Sequence, residues 1–161
     1  MAAASPFGNR GVEELGQAPF VGPPSLSDQL STRELESTKR RKRDARLRML
    51  VLPLYDARCA LTGDRFTHAG AEEVEICHLW GLDYGGSDAI RNAMAMGRTV
   101  HWCYDHGLLG LENDGTILFA RSTTADFRAR FKRQRAAFPR DLNSWPDPVS
   151  LEFHRDVIFD R

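Results

Sequence analysis

Apolar and polar positions change their spacing near residue 53, and the two parts of the chain predict different structures. Between residues 27 and 52 there is no Gly or Pro, and helix-forming residues predominate. This composition predicts one long basic helix that ends near Leu52. Its apolar positions Leu47, Leu50 and Val51 are expected to dock on a core.

Two segments after this helix alternate between apolar and polar residues, as β-strands do. Residues 55–66 (YDARCALTGDRF) predict a strand or extended segment closed by the turn TGD. Residues 72–80 (EEVEICHLW) predict another strand, and two strands would form a hairpin. After the Gly-rich loop GLDYGGSD, residues 93–96 (AMAM) predict a short strand. Residues 98–107 (RTVHWCYDHG) predict a helix that ends at Gly107.

The last third of the chain contains a hairpin signal and a second basic segment. Residues 108–120 (LLGLENDGTILFA) place two apolar runs around an Asp-Gly turn, which predicts a β-hairpin. Residues 123–138 (TTADFRARFKRQRAAF) predict a basic amphipathic helix, capped by Thr or Asp and ended by Pro139. Mixed helices and short strands indicate the α+β class. The aromatic residues expected in its core are Trp80, Trp102, Phe127 and Phe131.

Composition and charge restrict the classes of function. A chain of 161 residues suits one domain preceded by an arm, and residues 1–28, rich in Pro, Gly, Ala and Ser, predict a flexible one. No apolar run approaches the ~20 residues of a membrane span and no signal peptide is visible, so we expect a cytoplasmic protein. Three cysteines without C-x-x-C spacing predict neither a disulfide framework nor structural zinc.

The formal net charge is zero, but the charges are segregated along the chain. Residues 1–37 hold two basic and five acidic side chains, whereas residues 38–48 hold seven basic and one acidic. A charged run is usually a solvated helix face, yet two basic segments beside a candidate site favour contact with nucleic acid phosphates. The candidate contacts in these two segments are Lys39, Arg40, Arg41, Lys42 and Arg43, and then Arg128, Arg130, Lys132, Arg133 and Arg135.

Candidate chemistry is concentrated between residues 77 and 105. His101 and Asp105 are four positions apart on a predicted helix, so both lie on one face and can converge on one ion. His78 ends a predicted strand and Asn92 closes the loop after it, at the junction with this helix. Because buried histidine and aspartate are costly unless paired or coordinated, the pattern predicts a metal site.

This part of the chain resembles the HNH endonucleases of the ββα-metal fold. The resemblance rests on the order of His78, Asn92 and His101, followed by WCYDHGLLGL, and it is strongest to a branch found among bacterial restriction endonucleases. The resemblance runs from about Arg46 to the end of the chain. It implies a ββα-metal core in residues 53–161, an HNH nuclease domain, decorated by a basic N-terminal helix over 29–52, an additional β-hairpin and a C-terminal helix. The implied function is metal-dependent hydrolysis of DNA in restriction, phage defence or a mobile element.

The resemblance also implies roles for individual residues. His78 corresponds to the general base that takes a proton from water, and His101 to the metal-binding histidine of the helix. Asp105 is the candidate second ligand, which suits Mg²⁺ or Mn²⁺ as the cofactor. The metal would stabilise the departing 3′ oxygen, and Asn92 corresponds to the residue that fixes the loop and so aligns the base.

The sequence departs from the family pattern at Cys77, where many HNH enzymes have a metal-binding Asp, Glu or His. Two interpretations stay open: Cys77 is a ligand for a softer ion such as Zn²⁺ or Ni²⁺, or it packs in the core, as free cysteines often do. The departure also leaves open a DNA-binding module that does not cleave or that needs a partner subunit. A nuclease acting on RNA or on structured junctions is a third alternative. A homodimer would suit cleavage of both strands.

Overall fold

The long basic helix forms, and its C-terminal half joins the core. The computed structural model describes residues 26 to 160, with side chains from residue 34, so most of the expected N-terminal arm lies outside the described residues. Helix α1 spans Leu26–Val51, which confirms the predicted helix. Leu47 and Val51 are buried as expected, whereas Leu50 is exposed. Arg48 donates to the backbone oxygen of Val74, which joins α1 to the segment before the central strands.

Three short antiparallel strand pairs and three further helices follow, which confirms an α+β fold. The strand pairs are β1 (Thr67–His68) with β2 (Ala71–Glu72), β3 (Glu75–His78) with β4 (Ala93–Met96), and β5 (Leu109–Leu111) with β6 (Ile117–Phe119). The helices are α2 (Arg98–Asp105), α3 (Ala125–Arg128) and α4 (Pro148–Val157). Among the described residues, none of the helices is both long and apolar enough to cross a membrane.

The strand predicted over residues 55–66 is wrong, and so is its pairing with β3. A 3₁₀ turn over Leu52–Tyr55 runs into two residues, Asp56 and Ala57, with φ of 52°, and left-handed backbone cannot continue a strand. Tyr55, Cys59, Ala60 and Leu61 are still buried, but they reach the core from turns, whereas Phe66 is exposed. The partner of β3 is β4, in a register that places His78 opposite Ala93.

The helix predicted over residues 123–138 is also wrong beyond its first turn. Thr124 caps α3 by accepting from the Phe127 N–H at 3.2 Å, but α3 ends at Arg128. Further along, Gln134 and Ala136 bond to the backbone of the β5–β6 hairpin, so pairing with the hairpin overrides helix propensity. The C-terminal helix is instead α4, which the sequence pattern did not indicate.

Helix α2 has well-defined ends that fix its position against β3. At its start, Glu73 accepts from the Arg98 N–H at 2.7 Å. At its end, Gly107 has φ of +70°, which confirms the predicted glycine after the helix. A side chain at Gly107 would place Cβ 2.2 Å from the Ile158 carbonyl oxygen, so the close approach of α4's end also requires glycine.

Candidate active site

Strand β3 and helix α2 bring three potential metal ligands together. The Sγ of Cys77 and one ligand atom each from His101 and Asp105 lie within 4.8 Å of one another. Nε2 of His101 is 3.3 Å from Oδ2 of Asp105, and the Cys77 Sγ is 4.0 Å from Oδ1 of the same carboxylate. The i, i+4 spacing on α2 therefore does bring His101 and Asp105 together. A thiol, an imidazole and a carboxylate form a donor set that suits a divalent transition metal.

Glu75 lies beside this cluster as a hydrogen-bond partner of His101. The sequence interpretation missed it. The Nδ1–H of His101 donates to Oε2 of Glu75 at 3.0 Å, while Arg98 Nε forms an ion pair with Oε1 at 3.1 Å. With its proton on Nδ1, His101 has an unprotonated Nε2 that lies beside the Asp105 carboxylate. Two acceptor atoms 3.3 Å apart need a cation or a second proton between them, so the arrangement fits a bound metal. The period of two along a strand places Glu75 on the face of Cys77 and could have revealed it.

Burial and neighbouring charges raise the pKa of two of the candidate ligands. Burial raises the pKa of the Asp105 carboxyl, against the opposing effect of His101 and two further histidines. Burial also raises the pKa of the Cys77 thiol well above its usual range, and the Asp105 and Glu75 carboxylates raise it further. A divalent cation would offset the repulsion among these groups. Since the Cys77 side chain is fully buried, both of its interpretations, soft ligand and core packing, stay compatible with its position.

His78 lies at the end of β3 on the wall of a cleft of about 700 Å³, which His101 and Asp105 also line. Its Nε2–H donates to Oδ1 of Asp88 at 3.0 Å, because a carboxylate can only accept. It does not belong to the cluster of three potential ligands. The other oxygen of Asp88 forms an ion pair with Arg43 of α1 at 2.9 Å. The sequence interpretation missed Asp88, which it took as part of a turn.

Asn92 fastens the loop between β3 and β4. Its Oδ1 accepts from the Trp80 N–H at 2.8 Å, and its Nδ2 donates to the carbonyl oxygens of Trp80 and Ser87 at 2.9 and 2.7 Å. The backbone carbonyl of Asn92 also accepts from Leu79 at 2.9 Å. A single buried side chain thus ties both ends of the loop next to His78.

The two basic segments occupy different surroundings. All five candidate residues of α1 are exposed, but only Arg40 lines the cleft, and Arg43 pairs with Asp88. In the second segment, Arg128 donates to Ala120 and Thr123, and Arg135 pairs with Asp114 at 2.9 Å. These two side chains are held by the protein itself. None of the five basic residues predicted there lines the cleft among the residues the structure describes: Arg128, Arg130, Lys132, Arg133 and Arg135.

Aromatic residues support α2 from one side and are exposed on the other. Tyr104 is fully buried and stacks on His154 of α4 at 3.6 Å, and the His154 Nε2–H donates to the Tyr104 carbonyl at 2.8 Å. Burial lowers the pKa of His154 to about 4. The expectation that Trp102 is a core residue is wrong, because it is 55% exposed and stacks on His106 at 4.1 Å. The helical period places Trp102 away from the buried face that holds Tyr104.

Comparisons with known proteins identify a structure with a similar fold but no family to which the chain belongs. No family model matches the chain, and no curated protein matches it. Among solved structures, a modification dependent TagI restriction endonuclease has a similar fold, with a TM-score of 0.53 and 18% identity. The similarity covers 66% of this chain and 35% of that one. The chain therefore spans about a third of the length of that structure.

Proposed function

We propose that this chain is a metal-dependent endonuclease of the HNH type, which hydrolyses phosphodiester bonds in DNA. The observation that carries the proposal is one cleft lined by His78, His101 and Asp105, above a strand pair followed by a helix. The order of β3, β4 and α2, two strands followed by a helix, is that of a ββα-metal core and supports the proposal. A fold similar to that of a restriction endonuclease supports the proposal, and restriction is the setting we propose.

His78 and the metal ligands divide the chemistry between them. With its Nε2–H on Asp88, His78 has Nδ1 available to take a proton from water, and the hydroxide then attacks phosphorus. His101 and Asp105 would hold a divalent cation, which neutralises charge on the phosphate and stabilises the leaving 3′ oxygen when bound. Glu75 orients His101 as a carboxylate partner of a ligating histidine. Asn92 holds the loop that begins directly after His78.

Cys77 decides which cation the site prefers. His101 and Asp105 alone provide nitrogen and oxygen donors, which suit Mn²⁺ or Mg²⁺, particularly with water in the other positions. Cys77 adds a sulfur donor only for a softer ion such as Zn²⁺ or Ni²⁺. A Cys77→Ser variant is therefore expected to lose cleavage with Zn²⁺ or Ni²⁺ while retaining it with Mg²⁺ or Mn²⁺.

DNA would lie along the cleft and the exposed side of α1. Arg40 reaches the cleft wall, and Lys39, Arg41 and Lys42 are exposed on the same helix. Such side chains bind phosphates and carry no sequence information by themselves. Binding should therefore fall steeply as the salt concentration rises.

The first test is cleavage of supercoiled plasmid by the purified protein with Mg²⁺, Mn²⁺, Zn²⁺ or Ni²⁺, against EDTA. His78→Ala is the variant, and His68→Ala is its matched control, because His68 is exposed on β1 and does not line the cleft. Metal-dependent nicking that is lost only in His78→Ala supports the proposal. Salt-sensitive DNA binding without cleavage under any metal would overturn it in favour of a binding module. A matched RNA substrate tests the preference for DNA.

A further inference from the structure

The bond between His78 and Asp88 joins the candidate base to a residue outside the metal cluster. Asp88 lies in the loop between β3 and β4, and its Oδ1 accepts from the His78 Nε2–H at 3.0 Å. The His78 side chain is 18% exposed and that of Asp88 30%, so the bond lies at the cleft wall, partly shielded from water. Within the described part of the chain, Nδ1 of His78 has no hydrogen-bond partner. The ring is therefore fixed through Nε2, and Nδ1 is available to accept a proton.

The backbone around Asp88 is fixed, so its carboxylate has a defined position. Asn92 donates to the carbonyl oxygen of Ser87, the residue directly before Asp88. One position earlier, a side chain at Gly86 would place Cβ 1.9 Å from the carbonyl oxygen of Trp80. Such close packing and the hydrogen bonds leave the loop little freedom near residue 88.

Arg43 differs from the other basic residues of α1 because it points to this carboxylate. Its Nε lies 2.9 Å from Oδ2 of Asp88 in an ion pair, while Oδ1 accepts from His78. Its neighbours Lys39, Arg40, Arg41 and Lys42 form no ion pair within residues 34–160. An exposed ion pair of this kind adds little stability. The ion pair instead affects geometry. One oxygen of Asp88 contacts His78 and the other contacts Arg43, so the carboxylate links α1 to the His78 ring.

We propose that Asp88 is a positioning residue that fixes His78 as the Nε2–H tautomer, and that Arg43 holds Asp88 in place. The functional meaning rests on the proposed nuclease activity, in which Nδ1 of His78 must be free to accept a proton. Arg43 then belongs to the alignment of the base and contributes to turnover. The sequence alone grouped Arg43 with the residues that bind DNA phosphates.

The deciding measurement is the tautomer of His78, read from the ¹⁵N chemical shifts of its two ring nitrogens at a pH where the ring is neutral. His78→Gln assigns the signal among the five histidines. We expect mainly the Nε2–H form in the wild-type protein and a mixture of tautomers in Asp88→Asn, whose amide can also donate. An unchanged tautomer in a folded Asp88→Asn variant would overturn the proposal. This readout does not depend on cleavage, so it separates failure of the proposal from failure of the nuclease function.

Kinetics give the second readout. Asp88→Asn is expected to lower kcat roughly 10²-fold, the lower end of what general-base catalysis contributes, with little change in KM. Arg43→Gln should lower kcat less, and Asp88→Glu should restore part of it by returning a carboxylate. The charge-matched control is Arg46→Gln, since Arg46 is exposed on the same helix and does not line the cleft. If Arg43→Gln and Arg46→Gln give the same kcat, the proposed role of Arg43 is wrong.

Discussion

His78 and His101 have surroundings of the same kind, but their partners come from different parts of the fold. Each ring donates one N–H to a carboxylate at 3.0 Å, and each carboxylate forms an ion pair with an arginine. For His101 these partners are Glu75 and Arg98, within the strand and helix that hold the metal cluster. For His78 they are Asp88 in a loop and Arg43 on α1.

This difference separates two tasks of the proposed nuclease site, the alignment of the base and the alignment of a metal ligand. The His101 arrangement lies within one small β3–α2 unit, so the orientation of a metal ligand is set as soon as that unit folds. The His78 arrangement depends on α1 packing against the loop, and α1 is the element proposed to bind DNA. In the proposed mechanism, alignment of His78 as the base is therefore coupled to the proposed DNA-binding surface on α1, whereas alignment of His101 is not.

The largest expected effect is the loss of cleavage when His78 or His101 is replaced. Metal affinity then distinguishes the two residues. Either His78→Ala or His101→Ala should lower cleavage by about 10²-fold or more, because each removes a group that acts directly on the reaction. Only His101→Ala should also weaken binding of Mn²⁺ or Zn²⁺, as measured by isothermal titration calorimetry. An equal loss of metal affinity in His78→Ala would show that both rings are ligands.

His154 extends the comparison, because this ring is buried and, among the described residues, forms no ion pair with a carboxylate. Its pKa is lowered by burial from 6.5 to about 4, so the unfolded chain binds a proton that the folded state excludes between these pH values. The free energy of unfolding should therefore fall by about 3 kcal/mol as the pH drops from 6.5 to 4, with no such loss above 6.5.

Urea unfolding of the wild-type protein and of His154→Gln across this pH range measures the effect. The variant should show a shallower fall in the free energy of unfolding, whatever its stability at neutral pH. Parallel curves for the two proteins would mean that other groups cause the acid sensitivity.

Removing the charge of one carboxylate partner should have an intermediate effect. Glu75→Gln is expected to weaken metal binding about 10- to 100-fold, as changes behind a ligating histidine do. The matched control is Glu73→Gln, since Glu73 caps α2 through the Arg98 N–H and forms no bond with His101. Asp88→Asn should leave metal affinity unchanged. If Glu73→Gln weakens metal binding as much as Glu75→Gln does, the effect comes from the helix and not from His101.

Regular local patterns were enough to predict several elements. The long helix, the strands at residues 75–78 and 93–96, helix α2 and the last hairpin all follow from periodicity and from turn or capping residues. The segments at 55–66 and 123–138 failed because their backbones bond to distant partners. Residue 60 bonds to residue 95 and residue 136 to residue 115, and no local pattern encodes such contacts.

The candidate site was predicted to a similar extent. Spacing on one helix brought His101 and Asp105 together, but each carboxylate that orients a histidine was missed. Glu75 could have been predicted, because side chains alternate between the two faces of β3 and Glu75 is two positions from Cys77. Asp88 was not, because its position depends on the irregular loop fixed by Asn92, and the packing of α1 on that loop is a tertiary contact.

The smallest expected effect tests the basic run itself, where neighbouring arginines have different surroundings. Arg40 lines the cleft without an ion pair among the described residues, whereas Arg43 is paired with Asp88. Arg40→Gln should therefore lower the slope of log Kd against log salt concentration by about one, as loss of one phosphate contact does, and Arg43→Gln should leave the slope unchanged. Fluorescence anisotropy with a labelled duplex in EDTA measures this without cleavage. Equal losses of slope would place both arginines on DNA phosphates, and the contrast between the two histidine arrangements would then lose its link to α1.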